Sequence, residues 1–357
     1  MMYKMFALLV MLVGLFTLVN YSQSRSSNDP VTQSNLISVA TATLEAESNL
    51  FVTGAAEDGI NYVAMKSQYD QAVKDREVGE AEGFYYKNPK SDVTDIKLEI
   101  GKNSASLFLI EQRQRIHVSP SGEETHVEEI IDHRFDFSFK RGKWVLESDT
   151  HLNGPKQEPL KMDEMPISDT STDVSDFISF ETPSNDRASA SSVSVIRSWI
   201  SSYAYQYYRN PNPIYRTFGN DCTNFTSQAL TAGGWTQSLG FYSSDSAWWY
   251  KSSCVSWLEP CQSYPWAGAY NNYRYIRYQS GRATLASNIN KLRAGDILQV
   301  DWDGGGTVDH SMVVTKVVNG LPYLTYRSNP VKDKPFSELN NAYPQAKWYG
   351  FNLKASY

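Results

Sequence analysis

Gly219-Asn220-Asp221-Cys222-Thr223-Asn224-Phe225-Thr226-Ser227-Gln228-Ala229-Leu230 decides how the second half of this chain is read. Gly219 permits a sharp entry. Asn220 or Asp221 suits the N-cap of a helix, because a short polar side chain can accept from the first free N–H groups. Phe225, Ala229 and Leu230 then recur at helical spacing, and Gly233-Gly234 stops the helix. Cys222 falls in the first turn, on the inward face. Free N–H groups and the positive helix end favour a thiolate there. The same N–H groups suit a developing oxyanion. A lone cysteine is more often a buried structural thiol, so a chemical reading needs a second residue.

That residue is His310, the one histidine beyond residue 190. A thiol nucleophile needs a base that also shuttles the proton, and imidazole titrates near working pH. Leu292-Arg293-Ala294-Gly295-Asp296 leads into a strand, Ile297-Leu298-Gln299-Val300. A glycine-rich loop runs from Asp301 to Thr307, and Val308-Asp309-His310-Ser311-Met312-Val313-Val314 begins the next strand. Asn319-Gly320 makes a hairpin turn into Tyr323-Leu324-Thr325-Tyr326. A histidine at the mouth of a sheet can face the start of the cysteine helix.

The Asn-Asp-Cys-Thr-Asn-Phe opening, the Leu-x-x-Gly-Asp strand entry and Asp-His-Ser-Met-Val-Val together resemble the bacterial “putative amidase domain” family. That family is similar to the papain-like peptidoglycan amidases and endopeptidases. The resemblance covers about residues 190–357. It implies a papain-like fold, Cys222 as nucleophile, His310 as base, and peptidoglycan or another cell-wall peptide as substrate. It also implies a second histidine near the position of Arg327, which cannot accept a bond from imidazole. Asn329 is the candidate for the orienting acceptor, with Asp296 and Asp309 as alternatives, or no third member at all.

The loop Asp301-Trp302-Asp303-Gly304-Gly305-Gly306 lacks the full pattern of a calcium-binding EF-hand, and a flap beside the base is the better reading. No zinc cluster, phosphate-cradling loop or Gly-x-Ser-x-Gly elbow is present, so neither metal nor cofactor is expected. Eight of the nine tryptophans and 17 of the 23 tyrosines lie beyond residue 190. Trp248-Trp249-Tyr250 and the Tyr270–Tyr278 cluster suit either a binding groove or a tightly packed small core.

With 357 residues, the chain exceeds one ordinary core. Residues 31–48 and 57–75 carry helical spacing. From Val93 the period becomes two, with strands over about 93–100, 105–118, 125–140 and from Trp144. Helices followed by antiparallel strands make a small α+β domain over 31–151, which in element order resembles the nuclear-transport-factor-like fold. His117, His126, His133 and His151 read as exposed strand histidines rather than metal ligands. Residues 152–190 are rich in Pro, Ser, Thr, Asp and Glu and read as a linker. The second α+β domain spans 191–357, opening on a helix over 191–208.

Net charge is −6, but residues 191–357 alone carry +6, from 15 Lys and Arg against 9 Asp and Glu. That balance suits an anionic polymer as neighbour and falls well short of a nucleic-acid binder. Lys4 followed by the apolar run Met5 to Val19 reads as a signal peptide or an uncleaved anchor within residues 1–24. Either places the rest of the chain outside the cytoplasm, with membrane contact through that segment alone. Cys254 and Cys261 are spaced to bridge in an oxidising compartment or to remain buried thiols, and a bridge would leave Cys222 over. The sequence therefore points to a secreted or cell-surface cysteine amidase or peptidase. A catalytically degenerate cell-wall-binding module is the alternative.

Overall fold

A computed structural model describes residues 30–152, 193–252 and 260–357. The expected export segment, most of the expected linker and Cys254 lie outside the described residues. Among the described residues, no helix is long and apolar enough to cross a membrane.

The first unit opens with helices α1 (Pro30–Thr53) and α2 (Lys66–Glu82), followed by strands β1 (Tyr85–Ile100), β2 (Ser104–Val118), β3 (Glu124–Lys140) and β4 (Lys143–His151). Leu36, Ala40 and Leu44 stand one turn apart on α1. They pack on Ala105, Leu107 and Leu109 of β2, Phe135 and Phe137 of β3, and Leu146 of β4. The strands alternate because one face takes that helix stripe. Several boundaries differ from the sequence reading: α1 runs on to Thr53 and α2 to Glu82. The second helix begins at Lys66, with Val63 86% exposed in the preceding turn. β1 starts at Tyr85, eight residues early, because irregularities at Lys87/Lys90 and Thr94/Lys97 shift its register against β2. Each adds a residue and flips the side-chain phase, which hides the alternation.

The histidine expectation is corrected here. His117 and His133 are buried, at 1% and 0% exposure, and His151 is partly buried; His126 alone is exposed. Each buried ring has polar or aromatic neighbours that replace water. Nδ1 of His117 meets Tyr323 Oη at 2.7 Å. Both nitrogens of His133 meet carboxylates. Burial opposes charge on His133, but bonds from Asp149 and Glu111 outweigh it and raise its pKa to about 9.

The second unit contains helices α3 (Arg197–Tyr207), α4 (Cys222–Ala232), α5 (Tyr264–Ala267) and α6 (Ala269–Arg274), a π-helical turn at Tyr275–Gln279, and strand β5 (Ala283–Leu285). Strands β6 (Ile297–Asp301), β7 (His310–Val318), β8 (Leu321–Tyr326) and β9 (Val331–Pro335) follow, then α7 (Phe336–Ala342) and β10 (Lys347–Leu353). Asn319 and Gly320 take positive φ at the tight β7–β8 turn, as expected. One sheet face, with Ile297, Val313 and Phe351, packs on Phe225, Ala229 and Leu230 of α4. The other, with Leu298, Met312, Val314 and Leu324, packs towards Leu339 of α7. The aromatic surplus is mostly core. Trp248, Trp266 and Tyr275 are at most 1% exposed, and Trp248 packs against both of the others. Tyr270, Tyr278 and Trp199 remain at the surface.

The two units share one antiparallel sheet, in the order β1-β2-β3-β9-β8-β7-β6-β10-β5, with β4 paired to β3. They join where Glu128 and Glu129 of β3 pair with Lys332 and Val331 of β9. Arg115 of β2 pairs with Glu129 on the neighbouring β3 and reaches across this seam to Glu338 of α7. Lys334 binds Glu129 at 2.5 Å and lies 3.7 Å from Glu338. Tyr86 donates to Glu338 at 3.1 Å, and Arg115 lies 4.6 Å over the Phe51 ring. Burial opposes the charges on Arg115 and Lys334, but the facing carboxylates outweigh it and raise both pKa values. Asp75 of α2 moves the other way: burial, then Glu338, pushes its carboxyl up to about 8.

Two outcomes follow from the seam. Arg115→Ala removes one of the two cations that the buried Glu129 and Glu338 share and should cost about 3–5 kcal/mol. Urea unfolding should show this loss, together with an early separate transition as the units part. An unchanged midpoint would show the charges to be idle. His117 provides the pH test. Burial, then Arg115, lowers its pKa to about 3 against 6.5 in the open chain. Its stabilising contribution is therefore present above about pH 6.5 and lost as pH falls toward 3. His117→Gln should lose less stability than the parent over that window in parallel unfolding curves.

Candidate functional site

Asp221 occupies the N-cap position of α4, but its side chain does not cap the helix. Its carboxylate instead accepts from Phe218 N–H at 3.1 Å and Asn224 Nδ2 at 2.8 Å. Asn224 also donates to Arg216 O at 2.8 Å, while its amide oxygen accepts from Trp266 Nε1 at 2.8 Å. This fully buried amide thus ties the 216–221 loop to the helix and to α5. The backbone N–H of Asp221 donates to Ser328 Oγ at 2.6 Å, linking the same turn to the end of β8.

Cys222 therefore leads α4, with 5% exposure and a free thiol. Cys261 is disulfide-bonded. The Thr223 hydroxyl lies 3.7 Å from Sγ of Cys222, and the N–H groups of Ser311 and Thr223 also point to the sulfur. Burial pushes the thiol above its ordinary pKa, and these donors offset only part of that. Behind the sulfur runs a buried polar chain. Thr223 Oγ1 meets Ser311 Oγ at 2.9 Å, and Gln299 Nε2 donates to Ser311 Oγ at 2.8 Å and to Asn272 Oδ1 at 3.0 Å. Sequence reading missed these residues. Their signal was present, since Gln299 and Ser311 are polar positions within otherwise apolar strands.

His310 is the first residue of β7, immediately before Ser311. Strand alternation puts Ser311 with Val313 on the α4 face and His310 with Met312 on the α7 face. The ring stands edge-on to Tyr326, 5.0 Å between centroids, and 6.0 Å from Trp302. Its Nε2 is buried without a hydrogen-bond partner, and burial lowers its pKa to about 3. The thiol thus lies against the backbone next to His310, and Nε2 bonds neither to it nor to an orienting acceptor.

None of the expected third members reaches that ring nitrogen. Asp296 is fully buried, accepts from Arg197 at 3.0 and 3.1 Å, from Leu353 N–H at 2.9 Å and from Arg293 N–H at 2.8 Å, and braces the strand entry. Asp309 turns away, as the alternation predicts, and accepts from Trp302 N–H at 2.9 Å. Asp301 and Asp303 likewise accept from Gly306 and Gly305 N–H, both at 2.7 Å, so the loop braces itself.

Asn329 instead lines a cleft of about 220 Å³ beside the start of α4, with Gly219, Asp221, Arg327 and, from β3, Ile130 and Asp132. Arg327 lies 3.3 Å from Asp221 and keeps its Nε without a partner. Ile130 N–H donates to Pro330 O at 2.9 Å, so the first unit forms one wall of this cleft. The cleft combines cationic and anionic groups within a few residues of the free thiol.

The sequence profile of the “Putative amidase domain” family matches residues 194–351. The chain is similar to uncharacterized protein YhbB of Bacillus subtilis (strain 168), 31% identical over 153 residues, which are 42% of this chain and 47% of that protein. It is also similar to uncharacterized protein YjcM of the same strain, 27% identical over 134 residues, 35% of this chain and 29% of that one. The chain thus spans about half the length, or less, of these relatives. Among solved structures, the intermembrane space region of chloroplast protein ARC6 aligns over 35% of this chain and 96% of its own, with 10% identity and a TM-score of 0.24, too slight a likeness to speak for the fold. Residues 194–351 are therefore similar to the “Putative amidase domain” family, and Cys222 and His310 both lie within the matched segment.

Proposed function

We propose that this chain is a thiol-dependent amide hydrolase in which Cys222 is the nucleophile and His310 its base. The observation that carries this reading is the setting of Cys222. It is a free thiol at a helix start, with the N–H of Ser311 on its sulfur, and Ser311 follows the only histidine of the matched segment. His310 Nε2 is buried without a hydrogen-bond partner, which is costly unless chemistry uses the ring.

In the proposed cycle the thiol proton passes to His310 as Sγ attacks the amide carbonyl. The C–S bond forms, the C–N bond breaks, and His310 returns the proton to the leaving nitrogen. Water then adds to the thioester, giving its proton to His310 and releasing the acid as the thiol reforms. The N–H groups at the head of α4 face the negative charge that develops on the carbonyl oxygen. Because burial raises the thiol and lowers the imidazole, the resting pair is neutral. For the proton to pass, His310 must swing from the α7 face, where Trp302 and Tyr326 flank it, towards the sulfur when substrate binds.

The substrate class we propose is a cell-wall peptide, with the chain working outside the cytoplasm. Its support is the resemblance of residues 190–357 and the mixed charge of the cleft, which suits stem peptides carrying both carboxylate and amine groups. A second reading is favoured by the packing of His310 on Trp302 and Tyr326, on the face away from the sulfur: a module that binds the polymer without turning it over.

Purified peptidoglycan separates the two, with released fragments read by mass spectrometry. Cys222→Ala should abolish release, and His310→Gln should lower it by about 10²- to 10⁴-fold. Equal release by parent and Cys222→Ala would end the enzyme reading. Co-sedimentation of both proteins with the polymer, without release by either, would support the binding module. Alkylation of Cys222 by iodoacetamide should be slow at pH 7 and accelerate at higher pH, following its raised pKa.

A further inference from the structure

We propose that the first unit holds a divalent transition-metal site formed by His133, Asp149 and His151, with Glu111 orienting His133. Asp149 and His151 stand two residues apart on β4, and His133 of β3 pairs directly with His151. The pleat therefore points all three side chains to one face. One ligand atom from each lies within 4.8 Å of the others. The rings of His133 and His151 meet edge to face at 4.6 Å.

Three features distinguish this cluster from a chance meeting of polar groups. First, Asp149 Oδ2 and His151 Nε2 are buried without any hydrogen-bond partner, although Asp149 is only 7% exposed. Glu47 of α1, 2% exposed and interacting with Asp149 and His133, has an unpartnered Oε2 as well. Buried polar atoms in this number need an occupant. Second, the supporting shell is already built. His133 Nε2 meets Glu111 at 3.1 Å, and Arg113 holds Glu111 at 2.9 and 3.2 Å. A carboxylate on one ring nitrogen leaves the other, Nδ1, directed at Asp149 Oδ1, 2.9 Å away. That is the carboxylate–histidine arrangement that presents a ring to a metal. With no ion, a proton on Nδ1 stands in its place. Third, three carboxyl groups, Glu47, Glu111 and Asp149, gather around the histidines with Arg113 beside them, an anionic setting that suits a divalent ion in place of the His133 proton.

Two imidazole nitrogens and a carboxylate oxygen suit zinc, cobalt or ferrous iron, rather than magnesium or calcium. Glu47 or water completes the shell. The site sits apart from Cys222 and does not depend on the amidase reading.

The test uses the full chain in a Cys222→Ser background, which removes the free thiol, stripped with chelator and titrated at pH 7.5. We expect one zinc per chain by calorimetry, and a rise in unfolding temperature with zinc concentration. Cobalt(II) should give visible ligand-field bands without a thiolate charge-transfer band. His151→Gln alters a partly buried side chain whose Nε2 has no partner, so the fold should survive, as circular dichroism will show. It should weaken zinc binding at least tenfold, and Glu111→Gln should weaken it by roughly 10- to 100-fold. Binding of less than a tenth of an equivalent of zinc by the parent would overturn the proposal. So would an affinity unaltered by His151→Gln.

Discussion

The pairing of β3 with β9, closed over by Arg115, Lys334, Glu129 and Glu338, is the constraint on which the rest of the structure hangs. Only two residue pairs of ladder join the units, too few to fix their relation alone. Phe84 packs on Val318, Leu321 and Tyr323 across the seam, and the charges add precision, because buried ions tolerate almost no displacement before one is left unpaired. Such a network adds little net stability compared with an apolar seam of equal volume, but it specifies one docking geometry. That geometry carries Ile130 and Asp132 to the edge of the cleft beside Cys222. The first unit is thereby part of the site's architecture.

A second rigid feature holds the nucleophile candidate itself. Thr223, Ser311, Gln299 and Asn272 form a buried hydrogen-bond chain in which helix and strand side chains satisfy one another. Buried polar groups without partners would be costly, so the chain fixes the register of α4 against β7 to within a hydrogen-bond length. Cys222 inherits its position from that register. His310 does not, because it stands at the strand's first position and packs on rings rather than on polar partners. The thiol is thus held by hydrogen bonds and the imidazole by the shape of the rings around it.

His310 and His133 show how one side chain is used in two ways. Each is buried. His133 is clamped by carboxylates on both nitrogens, and against burial their bonds raise its pKa to about 9. His310 packs on the rings of Trp302 and Tyr326 and is held neutral by desolvation. Environment, not residue type, separates a ring stabilised with its proton from one held without it.

Much of this was legible in the chain itself. The spacing of Phe225, Ala229 and Leu230 with the Gly233-Gly234 stop placed α4 and Cys222 at its head. Asn319-Gly320 marked the β7–β8 turn, and alternation marked β2 and β3, because these are local patterns set by backbone geometry and one-sided burial. The start of β1 was not legible, since two bulges shift the phase on which alternation depends. Nor were the partners of Asp221, Arg327 and the buried histidines. Arg327 was seen as a residue unable to orient His310, but that it pairs with Asp221 depends on a turn more than a hundred residues away. The His133–Asp149–His151 cluster has no spacing signature, because a ligand set divided between paired strands is defined by register rather than by sequence distance. The sequence by itself determined most of the elements and singled out Cys222 and His310 as candidates. The tertiary structure alone decided which polar groups meet, because long-range pairing and desolvation belong to the folded chain and to no segment of it.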